Sequence, residues 1–296
     1  MPFEALAGNR PSLDRLRGII RSGRVAHAYL FAGPDGVGKK LAALDFARAL
    51  GAAPLLVTRP EGKREILIEQ VREVIRELGF TSLARRAMIF DEAERLNEEG
   101  MNALLKTLEE PPRDTVLILV SAIPHRLLAT IRSRCQTILF FPLPDEEVAR
   151  LVREKAGLPA PSATLAAMLA EGSPGAALAL AGGMEEVQAE ARELQERVLS
   201  GELNPLIESL GKIKDTEQAR RSARRRLALL AECLRDALRS RSGIAPRLAG
   251  PAFVERFVKV DEDDLLDRIE ILLDRQHMID QNANVALAVE DALLRL

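Results

Sequence analysis

Five short stretches in the first half of the chain are rich in apolar residues and bounded by polar or turn-forming ones: 28–32 (AYLFA), 65–68 (EILI), 87–90 (AMIF), 116–120 (VLILV) and 137–141 (TILFF). Between them the apolar positions recur at helical spacing, over 39–50 and from the second stretch through Glu77. Short apolar strands alternating with amphipathic helices predict a parallel sheet covered on both faces. Ligands of such sheets sit beyond the carboxyl ends of the strands. After Pro142 and Pro144 the strand pattern stops. Helices are expected over 145–155 and 162–180, with breaks at Pro159, Pro161, Gly172, Pro174 and Gly182-Gly183. From Glu185 onward the pattern is helical, longest over 217–239, 263–275 and 285–296. The expected fold class is therefore α/β followed by all-α. It comprises a parallel-sheet domain over 1–143, a small helical domain over 144–185 and a helical domain over 186–296.

Composition narrows the function classes. A chain of 296 residues with 47% hydrophobic content has room for roughly two to three cores. Charged residues make up 29% and the formal net charge is -2, which disfavours a protein whose main task is to grip nucleic acid by electrostatics. Apolar runs such as 116–120 are far too short to span a bilayer, and the opening MPFEALAGNR has no leader-like pattern, so no membrane partner is expected. Two distant cysteines, Cys135 and Cys233, make neither a disulfide framework nor a zinc cluster, and a reduced, cytoplasmic setting is expected. With no Trp and Tyr29 as the single tyrosine, there is little platform for stacking bases.

The sharpest local signal is the run Gly33-Pro34-Asp35-Gly36-Val37-Gly38-Lys39-Lys40, which follows a strand and opens a helix. It matches a phosphate-binding loop at all but the last position. Gly33, Gly36 and Gly38 let backbone N–H groups approach phosphate oxygens, the helix N-terminus adds partial positive charge, and Lys39 would reach the terminal phosphates. At the next position the pattern needs a hydroxyl to ligate Mg²⁺. Lys40 stands there, and an ammonium has no lone pair to offer a metal. A glycine-rich turn without a ligand is the competing reading. Asp91-Glu92 ends the AMIF strand as a Walker B pair would, Asp91 holding a metal-bound water and Glu92 polarising an attacking one. Such a pair also commonly opens a solvated helix.

Residues 102–112, NALLKTLEEPP, form an amphipathic helix with Asn97 as its cap, acids in its first turn and two prolines after it. This segment resembles the corresponding helix of the AAA+ subunits of bacterial sliding-clamp loaders, which work with DNA polymerase III. Ser133-Arg134-Cys135 resembles their Ser-Arg-Cys motif and His27-Ala28-Tyr29-Leu30-Phe31 their first strand. Gly172-Ser173-Pro174-Gly175 is similar to the second-sensor segment of their stator member, and Asn282-Ala283-Asn284 to the final helix of their collar. The resemblance covers the chain in order. It implies an AAA+ domain, a helical lid and a C-terminal helical collar. The implied partners are the gamma/tau motor subunits and the delta subunit in a hetero-pentameric ring, with the sliding clamp and primed DNA met through that complex.

The resemblance also implies roles. Arg134 would act in trans as an arginine finger on ATP held by a neighbour, a task for which an always-charged planar guanidinium is suited; the plain alternative is a surface arginine beside Arg126 and Arg132. Cys135 reads as a packing residue. Three departures bear on cofactors. Lys40 replaces the metal-binding hydroxyl, and Gly175 stands where motor subunits carry an arginine. The span 50–66 lacks the four cysteines of a zinc module found in many relatives, so no zinc is expected. The first two point to a stator that does not itself hydrolyse ATP. The survival of Glu92 leaves a vestigial Walker B and weak ATP or ADP binding at Gly33, Gly36, Gly38, Lys39, Lys40 and Asp91 open. Ser121 falls at the first-sensor position beside Ala122. The arginines 220, 221, 224, 225 and 226 read as a solvated or paired helix face, and His125 and His277 as ordinary polar residues. The alternatives are an ATP-hydrolysing motor subunit and another AAA+ loader ATPase.

Overall fold

The computed structural model describes residues 2–58, 65–79, 85–211, 216–281 and 283–296. The elements run α1 (Arg10–Ser22), β1 (Ala28–Ala32), α2 (Lys39–Ala49), β2 (Ala53–Val57), α3 (Ile68–Gly79), β3 (Arg86–Phe90), α4 (Glu98–Glu109), β4 (Thr115–Ser121), α5 (Ala129–Arg132) and β5 (Gln136–Leu139). Helices α6 (Asp145–Ala156), α7 (Ala160–Leu169), α8 (Pro174–Ala181), α9 (Met184–Ser200), α10 (Asn204–Gly211), α11 (Thr216–Arg241), α12 (Pro251–Phe257), α13 (Glu262–Asp280) and α14 (Val285–Leu294) follow. The chain forms two compact units: Met1–Lys155 with Ala170–Leu178, and Ala156–Leu169 with Ala179–Leu296. The stretch 144–185 is thus divided between the two units.

In the first unit the strands pair in parallel in the order β2-β3-β4-β1-β5. Alternate residues of a strand face opposite sides. Tyr29 and Phe31 of β1 pack with Leu16, Phe46, Ile118 and Phe140 on one face, while Leu30 packs with Met88, Phe90, Leu104 and Leu119 on the other. Both faces are dry, which is why β1 and β4 are apolar at consecutive positions. Four aromatic rings hold the first core together, Tyr29 meeting Phe46 edge-on at 5.1 Å and Phe31 meeting Phe140 at 5.5 Å.

One strand expectation is corrected. Residues 65–68 are no strand: Ile66 makes an isolated parallel bridge to Leu96, and Ile68 already opens α3. The second strand in chain order is 53–57, read APLLV, which the apolar pattern passes over because Pro54 looks like a breaker. Its place explains the tolerance: among the described residues β2 is an edge strand paired with β3 alone, where a missing N–H costs no ladder bond.

The other edge is protected differently. The Asn9 amide exchanges hydrogen bonds with Phe141, donating to its carbonyl at 3.0 Å and accepting from its N–H at 2.7 Å. Ser12 donates to the Leu139 carbonyl and Arg15 to the Thr137 carbonyl at 3.1 Å. Three side chains at a spacing of three along the α1 region thus meet alternate carbonyls along the β5 edge. An open edge invites pairing with another chain, and this strap closes it.

In the second unit α11 and α13 form the central pair, with Leu227, Leu230, Leu234, Leu265 and Leu272 buried. The buried Asp236 carboxylate accepts from the backbone N–H groups of Arg247, Leu248 and Ala249 at 2.9, 2.6 and 2.9 Å and pairs with Arg239 at 2.8 Å. It fixes the turn that leads into α12. Part of the arginine stripe is spent inside this unit. Glu190 of α9 lies 2.7 Å from Arg225 and 3.1 Å from Arg226, and Arg226 also donates to the Leu206 carbonyl and the Ser209 hydroxyl. Asn284 caps α14 by accepting from Ala286 and Leu287, while Asn282 lies outside the described residues. Among the described residues no helix is long and apolar enough to cross a membrane.

Candidate functional site

The phosphate-type loop sits where the topology places ligands, at the carboxyl ends of β1, β3 and β4. Gly36 and Gly38 adopt φ of 72° and 99°, a conformation that side chains rarely accept, so the turn from β1 into α2 depends on them. Gly33 packs against the Phe140 carbonyl so closely that a Cβ there would lie 2.1 Å from its oxygen. Gly38 is the residue before α2, and no side chain caps the helix. Its first N–H groups are those a phosphate would meet.

Both lysines of the loop are already engaged by the chain itself. The Lys39 side chain, 5% exposed, turns back over the loop and donates to the Gly33 and Pro34 carbonyls at 2.6 Å each. Burial lowers its pKa from the ordinary lysine value, opposed by the negative charges of Asp35, Glu94 and Asp91. Lys40 reaches across to the end of β3, where its ammonium lies 3.0 Å from an Asp91 oxygen. The charge that would hold a metal-bound water in a working site is thus neutralised by a cation tethered to the same fold.

The surrounding residues complete a cavity of about 300 Å³ lined by Asp35, Lys39, Lys40, Asp91, Glu92 and Glu94 among others. These six carry four carboxylates against two ammonium groups, a balance that favours neither a bare phosphate chain nor its approach without a divalent cation. Glu92 has a left-handed backbone, φ 53°, and its carboxylate lies 3.2 Å from Arg95. Glu94 accepts from the Ala122 N–H at 3.1 Å, tying the turn after β3 to the end of β4. Ser121 is fully buried and its hydroxyl accepts from the Ile123 N–H at 3.2 Å, a local turn contact.

The Gly172–Gly175 segment closes on the loop from the other side. The Gly175 N–H donates to the Gly36 carbonyl at 2.9 Å, and a Cβ on Gly36 would stand 2.1 Å from the Ser173 hydroxyl. A Cβ on Gly175 would meet the Gly36 Cα at 3.0 Å. The two glycines touch because neither has a side chain, and there is no room between them for an arginine. With Lys40 on Asp91, Lys39 on its own loop and Gly175 on Gly36, the residues present do not fit a magnesium nucleotide in this arrangement.

Arg134 is not part of this cavity. It follows α5, a four-residue helix, and its guanidinium is held outside the loop: one Nη donates to Glu109 at the end of α4 at 2.7 Å, the other to the Thr130 carbonyl at 2.9 Å. The structure therefore brings Gly36, Gly38, Lys39, Lys40, Asp91 and Glu92 together around one cavity, with Gly33 at its edge through Lys39, and leaves Arg134 apart. Cys135 is half-buried, and desolvation pushes its thiol up to about 12, the reverse of what a nucleophile needs. Glu109, Glu94 and Ser173 are contacts that the motif reading did not assign. Glu109 lies within NALLKTLEEPP, yet its partner is 25 residues further on and no sequence spacing announces it.

A parallel sheet in the order β2-β3-β4-β1-β5, a glycine loop between β1 and α2 and an acidic pair directly after β3 define an AAA+ type of domain. A Thermotoga maritima RuvB variant shares this fold at a TM-score of 0.52 and 19% identity, over 72% of this chain and 85% of that one. The family model described as DNA polymerase III, delta subunit, matches residues 51–144. The DNA polymerase III subunit delta' of Escherichia coli is 31% identical over 264 residues, 80% of this chain and 77% of that protein. The delta' subunit of Pseudomonas aeruginosa is 35% identical over 214 residues, and the tau subunit of Bacillus subtilis is 32% identical over 161. The matches to these last two span 65% and 29% of their length. The chain belongs to the bacterial DNA polymerase III delta' family of clamp-loader subunits.

Proposed function

We propose that this chain serves as the stator of a bacterial sliding-clamp loader, supplying Arg134 in trans to ATP held by a neighbouring gamma/tau motor subunit. It hydrolyses no ATP in its own loop. The observation that carries this reading is the Lys40 ammonium 3.0 Å from Asp91, in the place where a working site needs a hydroxyl and a metal. The partly exposed Arg134 supports it: an arginine finger must be reachable from another subunit, and a guanidinium is permanently charged and matches phosphate oxygens. Hydrolysis at the neighbour's site turns ATP and water into ADP and phosphate. There the finger offsets the charge that develops on the transferred group.

In this reading residues 1–143 present Arg134, and the helices within 144–185 act as the lid although they are shared between the two compact units. Residues 186–296 form the collar that joins the gamma/tau and delta subunits in a hetero-pentameric ring. The ring loads the sliding clamp on primed DNA in the cytoplasm. The second reading, an ATP-hydrolysing motor subunit, is favoured by the likeness to the Bacillus subtilis tau subunit and by the presence of Glu92. ATP turnover by the purified chain separates the two. The stator reading expects no turnover above background, with or without Mg²⁺. Steady turnover abolished by Lys39→Ala would establish the motor reading instead.

A further inference from the structure

The guanidinium of Arg134 is held in place by its own chain. One Nη lies 2.7 Å from a Glu109 oxygen and the other donates to the Thr130 carbonyl at 2.9 Å, while the Ser133 hydroxyl donates to that same carbonyl at 3.1 Å. Glu109 is the last residue of α4, where the helix dipole disfavours a carboxylate; a cation at this point removes the conflict. The two side chains are 36% and 52% exposed, so water competes for both and the pair can open without burying a charge.

We propose that Glu109 is a parking partner for Arg134: it occupies, in the absence of a phosphate, the guanidinium face that a neighbour's nucleotide would take. The proposal rests on the reading of Arg134 as a finger acting in trans. A guanidinium pairs with a carboxylate or a phosphate through the same planar donors, so the two acceptors exclude each other at a given Nη. A carboxylate that stayed on the finger would also repel the phosphate oxygens and cancel part of the positive charge on which the finger's effect depends. The finger is therefore available only for the fraction of time that the pair is open. Glu109 is a positioning residue, touching Arg134 and not the reacting atoms. It makes release of Arg134 a step that assembly of the ring, or the clamp and DNA, can favour.

The test is ATP turnover by the reconstituted loader, containing the full chain beside its motor neighbour, without clamp or DNA. Four forms are compared: unaltered, Glu109→Gln, Arg134→Ala and the double variant. Glu109→Gln keeps the shape of the side chain and removes its charge, and Glu109→Ala serves as the second variant should glutamine disturb α4. Both are expected to raise turnover roughly two- to six-fold, the range that follows when an exposed ion pair of ordinary strength no longer competes. The excess over the unaltered loader should shrink as added salt screens the pair. In the Arg134→Ala background neither substitution should raise turnover. A merely structural role for Glu109 would alter melting without this dependence on Arg134. Equal turnover with and without Glu109, alongside a loss in Arg134→Ala, would overturn the parking role and leave the finger reading standing. A rise that persists without Arg134 would also overturn it.

Discussion

The loop cavity and the Arg134 surface use the same chemistry, a cation held by a carboxylate, in opposite settings. Lys39 is 5% exposed and bound to two carbonyls of its own loop, and Lys40 spans the cavity to a largely buried Asp91. Arg134 and Glu109 meet in water at the end of two helices. Releasing Lys39 would strand a buried ammonium, and parting the 44% exposed Lys40 would leave Asp91, only 19% exposed, without its cation. Opening the Arg134–Glu109 pair, by contrast, costs on the order of 1 kcal/mol or less. A cation locked in place can only shape its own fold. A cation weakly held at the surface can be given to another molecule. The division of labour in the proposed function follows from this contrast.

Lys40→Thr should break the contrast most strongly. The substitution removes the ammonium from Asp91 and introduces the hydroxyl that the loop pattern lacks, so Mg²⁺-dependent nucleotide binding should strengthen by on the order of 10- to 100-fold. Isothermal titration of the isolated chain with ADP and Mg²⁺ reads this directly. No gain would mean that Lys39, Gly175 or the excess of carboxylates closes the site without help from Lys40. Gly36→Ala should sharpen the contrast with a smaller effect. It forces a Cβ into positive φ and against the Ser173 hydroxyl, and should lower unfolding stability by about 1–3 kcal/mol in urea titration. Unchanged stability would show that the loop and the Gly172–Gly175 segment are not clamped together.

Much of this was legible in the residues. The strands β1, β3 and β4 announce themselves because both faces of the sheet are dry and their apolar runs are uninterrupted. The edge strand β2 was hidden by Pro54, and EILI at 65–68 mimicked a strand because Ile66 is fully buried through a single bridge to Leu96. Periodicity reports burial, and burial does not distinguish a strand from one extended residue tucked under a sheet. Within the site, the chemistry of Lys40 could be argued from its position after Lys39, since an ammonium cannot ligate a metal. That it would settle on Asp91, 51 positions away, is a consequence of β1 and β3 ending at the same side of a parallel sheet. The Glu109–Arg134 pair was beyond reach, because it depends on how the end of α4 packs beside α5. The asparagine at 97 shows the opposite case: a cap is a local bond, and Asn97 accepts from the Gly100 N–H at 2.9 Å as its position before α4 led one to expect.

The claim that Arg134 is lent to a neighbour's phosphate is tested most directly by hydrolysis at the single site it faces. A loader reconstituted with Arg134→Ala should still assemble, as judged by its mass in solution, because the substitution removes a partly exposed side chain. Single-turnover hydrolysis at the facing site should fall by roughly 10³-fold or more, the range found for arginine fingers. An assembled loader that hydrolyses ATP at that site with its rate unchanged would contradict the account.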